Sequence, residues 1–335
     1  MSLTIAINGF GRIGRTFLRT VLLDSEARKQ LNVVAINVGP KPVCNLDLLF
    51  AYDSIMGAFP LPVKATDTTL TVGDHTIALL HEADPSACNW QQFNIDWVVE
   101  ASGTFTDPAK AQQHLAAGAK RVLITAPADG DCVTIIPGVN DATYNADKDH
   151  IISLGSCTTN CFAPLVKVLH ENFIITNGLM TTMHSYTNDQ VLLDVEHKDP
   201  RRARAAALNM IPTKTGASKV IGLLFPELAS CMHAVSIRVP TPCVSLVDFS
   251  FTTQKPLSVA AINNVLQQAA HGPLAGIMTY TDLPLVSSDF TGNPASCVVD
   301  SLLTQSTPTM GKVFAWYDNE FGYSCRLRDF LLHNR

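Results

Sequence analysis

The chain has 335 residues, of which 47% are apolar and 16% charged, a balance that builds a core rather than a disordered chain. Lys and Arg number 24 against 29 Asp and Glu, a net charge of −5, so nothing in the composition suits a nucleic-acid backbone as partner. Mean hydropathy is slightly positive (+0.16), yet no run of about 18 apolar residues exists to predict a membrane-spanning helix. The length predicts two domains at about 150 residues each.

Leu3–Asn8 is a short apolar run that reads as a buried strand. Gly9-Phe10-Gly11-Arg12-Ile13-Gly14-Arg15 follows, then Phe17, Leu18, Val21 and Leu22 at helical spacing, then a second apolar run at 32–37. This strand, glycine loop, helix, strand order is the setting in which G-x-G-x-x-G binds a dinucleotide. Gly9 permits the tight turn, Gly11 lets backbone approach a pyrophosphate, and Gly14 lets helix and strand pack closely. The phosphates would meet the free amides and positive end of the helix. The alternative is three turn glycines in another α/β protein. Further strands are predicted at 77–80, 97–100, 121–125 and 150–154, with a helix at 108–117. The first half therefore reads as a doubly wound parallel sheet. Beyond about residue 157, alternating strands at 234–239 and 243–252 and helices around 209–225 and 257–270, with a further strand at 178–183, predict an α+β domain with a mixed or antiparallel sheet.

Nine scattered cysteines, an odd number, fit reduced thiols better than a disulfide framework. The start, Met-Ser-Leu-Thr, reads as neither a signal nor a transit peptide, so the expectation is a cytoplasmic protein with no membrane partner. One thiol stands apart. In Ser156-Cys157-Thr158-Thr159-Asn160-Cys161, a strand precedes Cys157, and Phe162, Leu165, Val166 and Leu169 follow at helical spacing. Cys157 should thus sit at a helix N-terminus, which favours a thiolate. Its spacing to Cys161 does not make a zinc site, no metal is expected, and Cys161 reads as packing. A nucleophile needs a base, and His184 ends the strand at 178–183. From spacing alone, a Cys157–His184 pair competes with a structural cysteine and a hydrogen-bonded histidine.

These residues, with Tyr52-Asp53-Ser54, His184-Ser185-Tyr186-Thr187-Asn188-Asp189-Gln190, Arg201-Arg202-Ala203-Arg204, Ile211-Pro212-Thr213, Thr215-Gly216-Ala217, Arg238-Val239-Pro240-Thr241-Pro242 and Trp316-Tyr317-Asp318-Asn319-Glu320, occur in one order along the whole chain. In them the chain closely resembles the phosphorylating (type I) glyceraldehyde-3-phosphate dehydrogenases. The resemblance implies a Rossmann-type domain over 1–156, completed by a last helix at 320–335, and a catalytic domain over 157–319. It implies NAD(P)-dependent oxidation of glyceraldehyde 3-phosphate to 1,3-bisphosphoglycerate, with Cys157 as nucleophile and His184 as base. Thr187 and Arg238, oriented by Asp189, would hold the substrate phosphate. Ser156, Thr158, Thr215, Gly216 and Arg202 would hold the attacking phosphate. Gly9, Gly11, Arg12, Ile13, Gly14, Val38, Thr125 and Asn319 would contact the cofactor. A homotetramer is implied as well.

The chain departs from the family in places. The second strand ends in Asn37-Val38 rather than Asn-Asp, and Val38 cannot accept bonds from the adenine ribose or repel a 2′-phosphate; Lys41 lies nearby. This points to NADP or dual use. Ala83 in place of an Arg and Glu196 in place of a Pro muddy that reading, since a glutamate near the 2′ position disfavours NADP. Leu154-Gly155 replaces Asn-Ala before the nucleophile, and Phe321 replaces a Trp. Thr187 and Thr215-Gly216 argue against the sister activity, erythrose-4-phosphate oxidation. Intact Cys157, His184, Arg238 and Asn319 argue against a non-catalytic scaffold of the same fold.

Overall fold

A computed structural model describes residues 2–41 and 44–334. They form two compact units: 2–135 with 141–155 and 324–334, and 136–140 with 156–323.

The first unit is built on a nine-stranded sheet. Seven strands run parallel, in the order Val133–Thr134, Ile151–Ser153, Arg121–Ile124, Trp97–Glu100, Leu3–Asn8, Leu31–Asn37 and His75–Leu80. Two antiparallel strands, Thr69–Val72 and Val63–Ala65, finish the edge. The central strands are covered on both faces, so Ile5, Ala6, Ile7, Val98 and Val99 are all fully buried. That double burial is why these strands read as unbroken apolar runs. Helix Arg12–Leu23 follows the glycine loop, and Pro108–Ala116 is capped by Asp107, whose carboxylate accepts the Ala109 amide. The C-terminal helix Phe321–His333 brings Phe330 edge-on to Trp97 at 5.9 Å and to Tyr144 at 5.3 Å.

The second unit carries a mixed seven-stranded sheet in the order Ile211–Thr213, Met232–Val239, Ile175–Ser185, Ser245–Thr253, Met310–Tyr317, Cys297–Ser306 and Met278–Thr281. Its middle strands alternate: every second residue of Ser245–Thr253 is buried, and Val247, Phe249 and Phe251 point into one core. Helices Cys157–Phe173, Ala217–Leu224 and Val259–His271 supply the other side of that core. The helix expected around 209–225 begins only at Ala217. Residues Ile211–Thr213 form an edge strand instead, antiparallel to Met232–Val239. Pro212 explains this: it has no amide for a helix interior, and an edge strand tolerates it.

Among the described residues no helix is long and apolar enough to cross a membrane, and no cluster of His, Cys, Asp and Glu could hold a metal. All nine cysteines are free thiols.

Candidate active site

Within the second unit, the nucleophile is placed by the start of helix Cys157–Phe173. Ser156 is the N-cap: its hydroxyl oxygen accepts the Thr159 amide at 3.1 Å and lies 2.9 Å from Thr159 Oγ1. Cys157 is the first helical residue and is half-buried. One turn on, Cys161 is fully buried in the core. Before the cap, Gly155 turns the chain at φ 63°, a conformation that a side chain would strain.

His184 lies on strand Ile175–Ser185, in register with Arg238 on the parallel neighbour Met232–Val239. Its Nε2 is 3.5 Å from Cys157 Sγ. Its Nδ1 is 2.7 Å from the Ser185 carbonyl, which can only accept, so Nδ1 carries the proton and the Nε2 lone pair faces the sulfur. Arg238 Nη1 donates to Ser185 O and Thr187 Oγ1, both at 3.2 Å, and lies 3.3 Å from His184 Nδ1. Its Nε is buried with no protein partner, a donor left for an anion.

Burial, then the Arg238 charge, pushes the His184 imidazole down to about 3, against the pull of the Ser185 carbonyl; Arg202 lowers it further. Burial also pushes the Cys157 thiol up, more than Arg238, the Thr158 hydroxyl and the local amides pull it down. The helix N-terminus was expected to lower the thiol. It pulls in that direction, but dehydration of the sulfur outweighs it, so the resting pair is a thiol beside a neutral imidazole.

Asp189 does not orient Arg238 through a hydrogen bond. Its carboxylate is ion-paired with Arg202 and lies 3.7 Å from His197 Nε2. All three sit on the loop between 185 and 211, so the shorter reach wins. Arg202 also donates from Nε to Thr213 Oγ1 at 2.9 Å, and Thr213 donates to Asp199 at 2.8 Å. Thr215 and Gly216 stand at the N-terminus of Ala217–Leu224, where Gly216 is an N-cap without a side-chain cap and faces open space. Thr158 is buried, with its hydroxyl 2.8 Å from Tyr317 Oη. Asn319 is buried, and its carbonyl oxygen accepts Ser185 Oγ at 2.7 Å and Ser245 Oγ at 3.2 Å, which turns its amide NH2 the other way.

In the first unit the glycine loop is closely packed at two of its three glycines and open at the third. A Cβ on Gly9 would lie 2.4 Å from Ser102 N, and one on Gly14 would lie 2.2 Å from Gly9 O, so neither position admits a side chain. Gly11 faces open space and is the N-cap of helix Arg12–Leu23, with no side-chain cap of its own. A helix N-terminus capped by glycine fits a dinucleotide's phosphates. Ile13 lies in the first turn, and Arg12 is ion-paired with Asp53. Thr125 Oγ1 donates to Glu100 O at 2.9 Å. Val38 is half-buried, its amide bonded to Leu80 O at 2.9 Å, and Lys41 is exposed.

Two features escaped sequence reasoning. One is the pair Tyr317 and Thr182, whose hydroxyls lie 2.8 Å apart. The other is a buried polar chain beneath the glycine loop. In it Trp90 donates to His114, whose other ring nitrogen lies 3.0 Å from Glu100; Asn8 donates to Glu100, and Asn37 to Asn8. Neither leaves a mark in spacing or composition, because each joins residues far apart in sequence.

The fold and these residues define the class, an oxidoreductase with a dinucleotide-binding Rossmann sheet. The family described as glyceraldehyde 3-phosphate dehydrogenase, NAD binding domain, matches residues 3–108, and the corresponding C-terminal domain matches 156–319. Glyceraldehyde-3-phosphate dehydrogenase 2 of Streptomyces arenae is 49% identical over 98% of this chain and 97% of that protein. The glyceraldehyde-3-phosphate dehydrogenase of Mycobacterium leprae is also 49% identical, again over 98% and 97%. Glyceraldehyde-3-phosphate dehydrogenase 2 of Bacillus subtilis is 46% identical over 99% of this chain and 97% of that protein. The chain belongs to the glyceraldehyde-3-phosphate dehydrogenase family.

Proposed function

We propose that this chain oxidises D-glyceraldehyde 3-phosphate with inorganic phosphate to 1,3-bisphosphoglycerate. The observation that carries the reading is the Cys157 Sγ–His184 Nε2 approach of 3.5 Å, with the Arg238 guanidinium against the same imidazole. The sulfur adds to the aldehyde carbon, and the thiol proton passes to the carbonyl oxygen by way of His184 Nε2. The Cys157 amide, at the helix N-terminus, would hold the developing oxyanion. As the thiohemiacetal is oxidised, Nε2 takes its hydroxyl proton and a thioester remains on Cys157. Phosphate then attacks the acyl carbon, and the sulfur leaves as thiolate. Arg238 and Thr187 hold the substrate phosphate; Ser156, Thr158, Thr215, Gly216 and Arg202 serve the attacking phosphate.

Gly9, Gly11, Arg12, Ile13, Gly14 and Val38 would hold NAD or NADP in the first unit, with Thr125 and Asn319 as further contacts. When bound, the cofactor's nicotinamide supplies the hydride acceptor. Val38 places no carboxylate at the ribose, so NADP is accepted beside NAD. One paired assay tests both statements. Acyl phosphate should form only with inorganic phosphate present, and kcat/KM for the two cofactors should differ by less than about a hundredfold, which is under 3 kcal/mol. Free acid as the sole product would overturn the phosphorylating reading, and a larger preference for NAD would overturn the relaxed specificity.

Exposed Leu192, Leu193, Val195, Leu208 and Met210 on the loop between 185 and 211 support a homotetramer. Light scattering should then give four times the chain mass, and a monomer would refute it.

A further inference from the structure

Three parallel strands of the first unit end abreast on polar residues. Asn8, Asn37 and Glu100 close strands Leu3–Asn8, Leu31–Asn37 and Trp97–Glu100, and Asn8 is in register with both of the others. All three are buried, and the Glu100 side chain completely so. Sheets of this kind bind their ligands outside the carboxyl ends of the strands, so the row lies beneath the proposed dinucleotide site. Donor and acceptor can be assigned along all of it. Trp90 Nε1 can only donate, and it reaches His114 Nδ1 at 3.0 Å. The ring hydrogen of His114 is therefore on Nε2, 3.0 Å from Glu100 Oε2. Asn8 Nδ2 donates to the same oxygen at 2.6 Å. Oε1 accepts the Ser102 amide at 2.8 Å and the Ser102 hydroxyl. That hydroxyl itself accepts the Thr104 amide at 3.1 Å, so its own hydrogen is free for the carboxylate. Glu100 takes four donors and returns none, which only a carboxylate can do.

Each carboxylate oxygen holds one arm. The first arm is Ser102, whose backbone backs Gly9 so closely that no Cβ fits there. The second is a relay of two amides. Asn8 turns its NH2 to Glu100, so its carbonyl oxygen faces Asn37 and accepts Asn37 Nδ2 at 2.8 Å. The Asn37 NH2 also donates to Glu82 O at 3.0 Å. Its oxygen is then left to accept the amides of Glu82 at 2.9 Å and Gly39 at 3.3 Å. One arm ends at the glycine loop and the other at Val38-Gly39, where the ribose would lie. The orientation of both asparagine amides follows from the carboxylate at the head of the relay.

We propose that Glu100 is a positioning residue for the dinucleotide. It acts through Asn8 and Asn37 on the turn that presents Val38, and through Ser102 on Gly9. This rests on the reading of the first unit as a dinucleotide site. Glutamine has nearly the shape of glutamate but offers one oxygen and one NH2. With its oxygen toward Ser102, its NH2 meets the NH2 of Asn8 and the Nε2 hydrogen of His114. With its oxygen toward Asn8, its NH2 meets the Ser102 amide. A donor faces a donor either way. If Asn8 turns over to relieve the first conflict, Asn37 must turn too, and its NH2 then meets the amides of Glu82 and Gly39. The mismatch is thus delivered to the ribose turn.

The experiment is calorimetric titration of the full chain with NAD, and separately with NADP, in the absence of aldehyde and phosphate. The proteins are wild type, Glu100→Gln, Asn37→Ala and the double variant, with melting curves and steady-state kinetics alongside. Glu100→Gln should weaken cofactor binding by about fivefold to thirtyfold. Asn37→Ala, at the far end of the relay, should weaken it by a similar factor or less. Because the two act along one path, the double variant should bind within about twofold of the weaker single variant. The KM for the cofactor should rise with Kd, while kcat at saturating cofactor and the KM for the aldehyde hold within about twofold. A purely structural role would lower the melting temperature and leave Kd in place, and an unmoved Kd in both single variants overturns the proposal. Effects that multiply in the double variant overturn the path through Asn37. If Glu100→Gln does not fold, the Kd of Asn37→Ala decides alone. Failure of the dinucleotide reading shows separately, as a wild type that binds neither NAD nor NADP, and it removes this proposal with it.

Discussion

Cys157→Ser should lower phosphorylating turnover by about 10⁴-fold or more while the melting temperature stays close to that of wild type. The side chains are nearly the same size, and Cys157 is half-buried, so little packing is lost. The Ser156 cap that starts the helix is untouched. The chemistry, by contrast, loses both steps that need sulfur. A serine hydroxyl ionises far above a thiol, and its oxygen is a poorer nucleophile and a poorer leaving group than sulfur beside the same imidazole. Any oxygen ester that formed would yield to phosphate more slowly than a thioester. Stopped-flow acylation and steady-state turnover check this together. Retention of a tenth of the wild-type rate would remove Cys157 from the mechanism. A chain acting only as a binding scaffold would show no turnover to lose.

The parallel sheet was legible because its central strands are buried on both faces and so appear as unbroken apolar runs, Leu3–Asn8 and Trp97–Glu100 among them. Cys157 and His184 were legible as positions, one at a strand-to-helix turn and one at a strand end. Their electrostatics were not. Whether a helix N-terminus or dehydration governs a thiol depends on how much protein covers the sulfur, and that cover comes from strands far along the chain. Asp189 misled for a related reason. Its sequence neighbourhood offers Arg201, Arg202 and Arg204, and only the folded loop shows that Arg202 takes it, with His197 alongside. Tyr317 had no signal beyond its place in an alternating strand, because its hydroxyl's partners lie 135 and 159 residues away.

Arg238→Leu should cut kcat/KM by about 10³-fold and move the acid-side limb, on which activity rises with pH, to higher pH. Arg238 acts on three groups at once. It bonds Thr187, its partner in the proposed substrate-phosphate site, and offers a buried Nε with no protein partner. It is the first of the groups that pull the Cys157 thiol down, so its loss lets burial push the thiol higher still. It is also the second cause, after burial, of the depressed His184, so its loss lets the imidazole rise from about 3. The signs differ in consequence. The imidazole stays neutral at neutral pH because burial still disfavours its charged form, so the base survives. The thiolate fraction at neutral pH falls, and activity lost with it returns as pH rises. Arg238→Lys separates the two contributions. It keeps a cation near the sulfur but loses the planar fork, so it should restore most of the pH midpoint and little of the KM for the aldehyde. A leucine variant within tenfold of wild type at every pH would show that neither the anion site nor the thiol depends on Arg238. A lysine variant that recovered KM as well as the midpoint would show that charge alone, without the fork, holds the substrate phosphate.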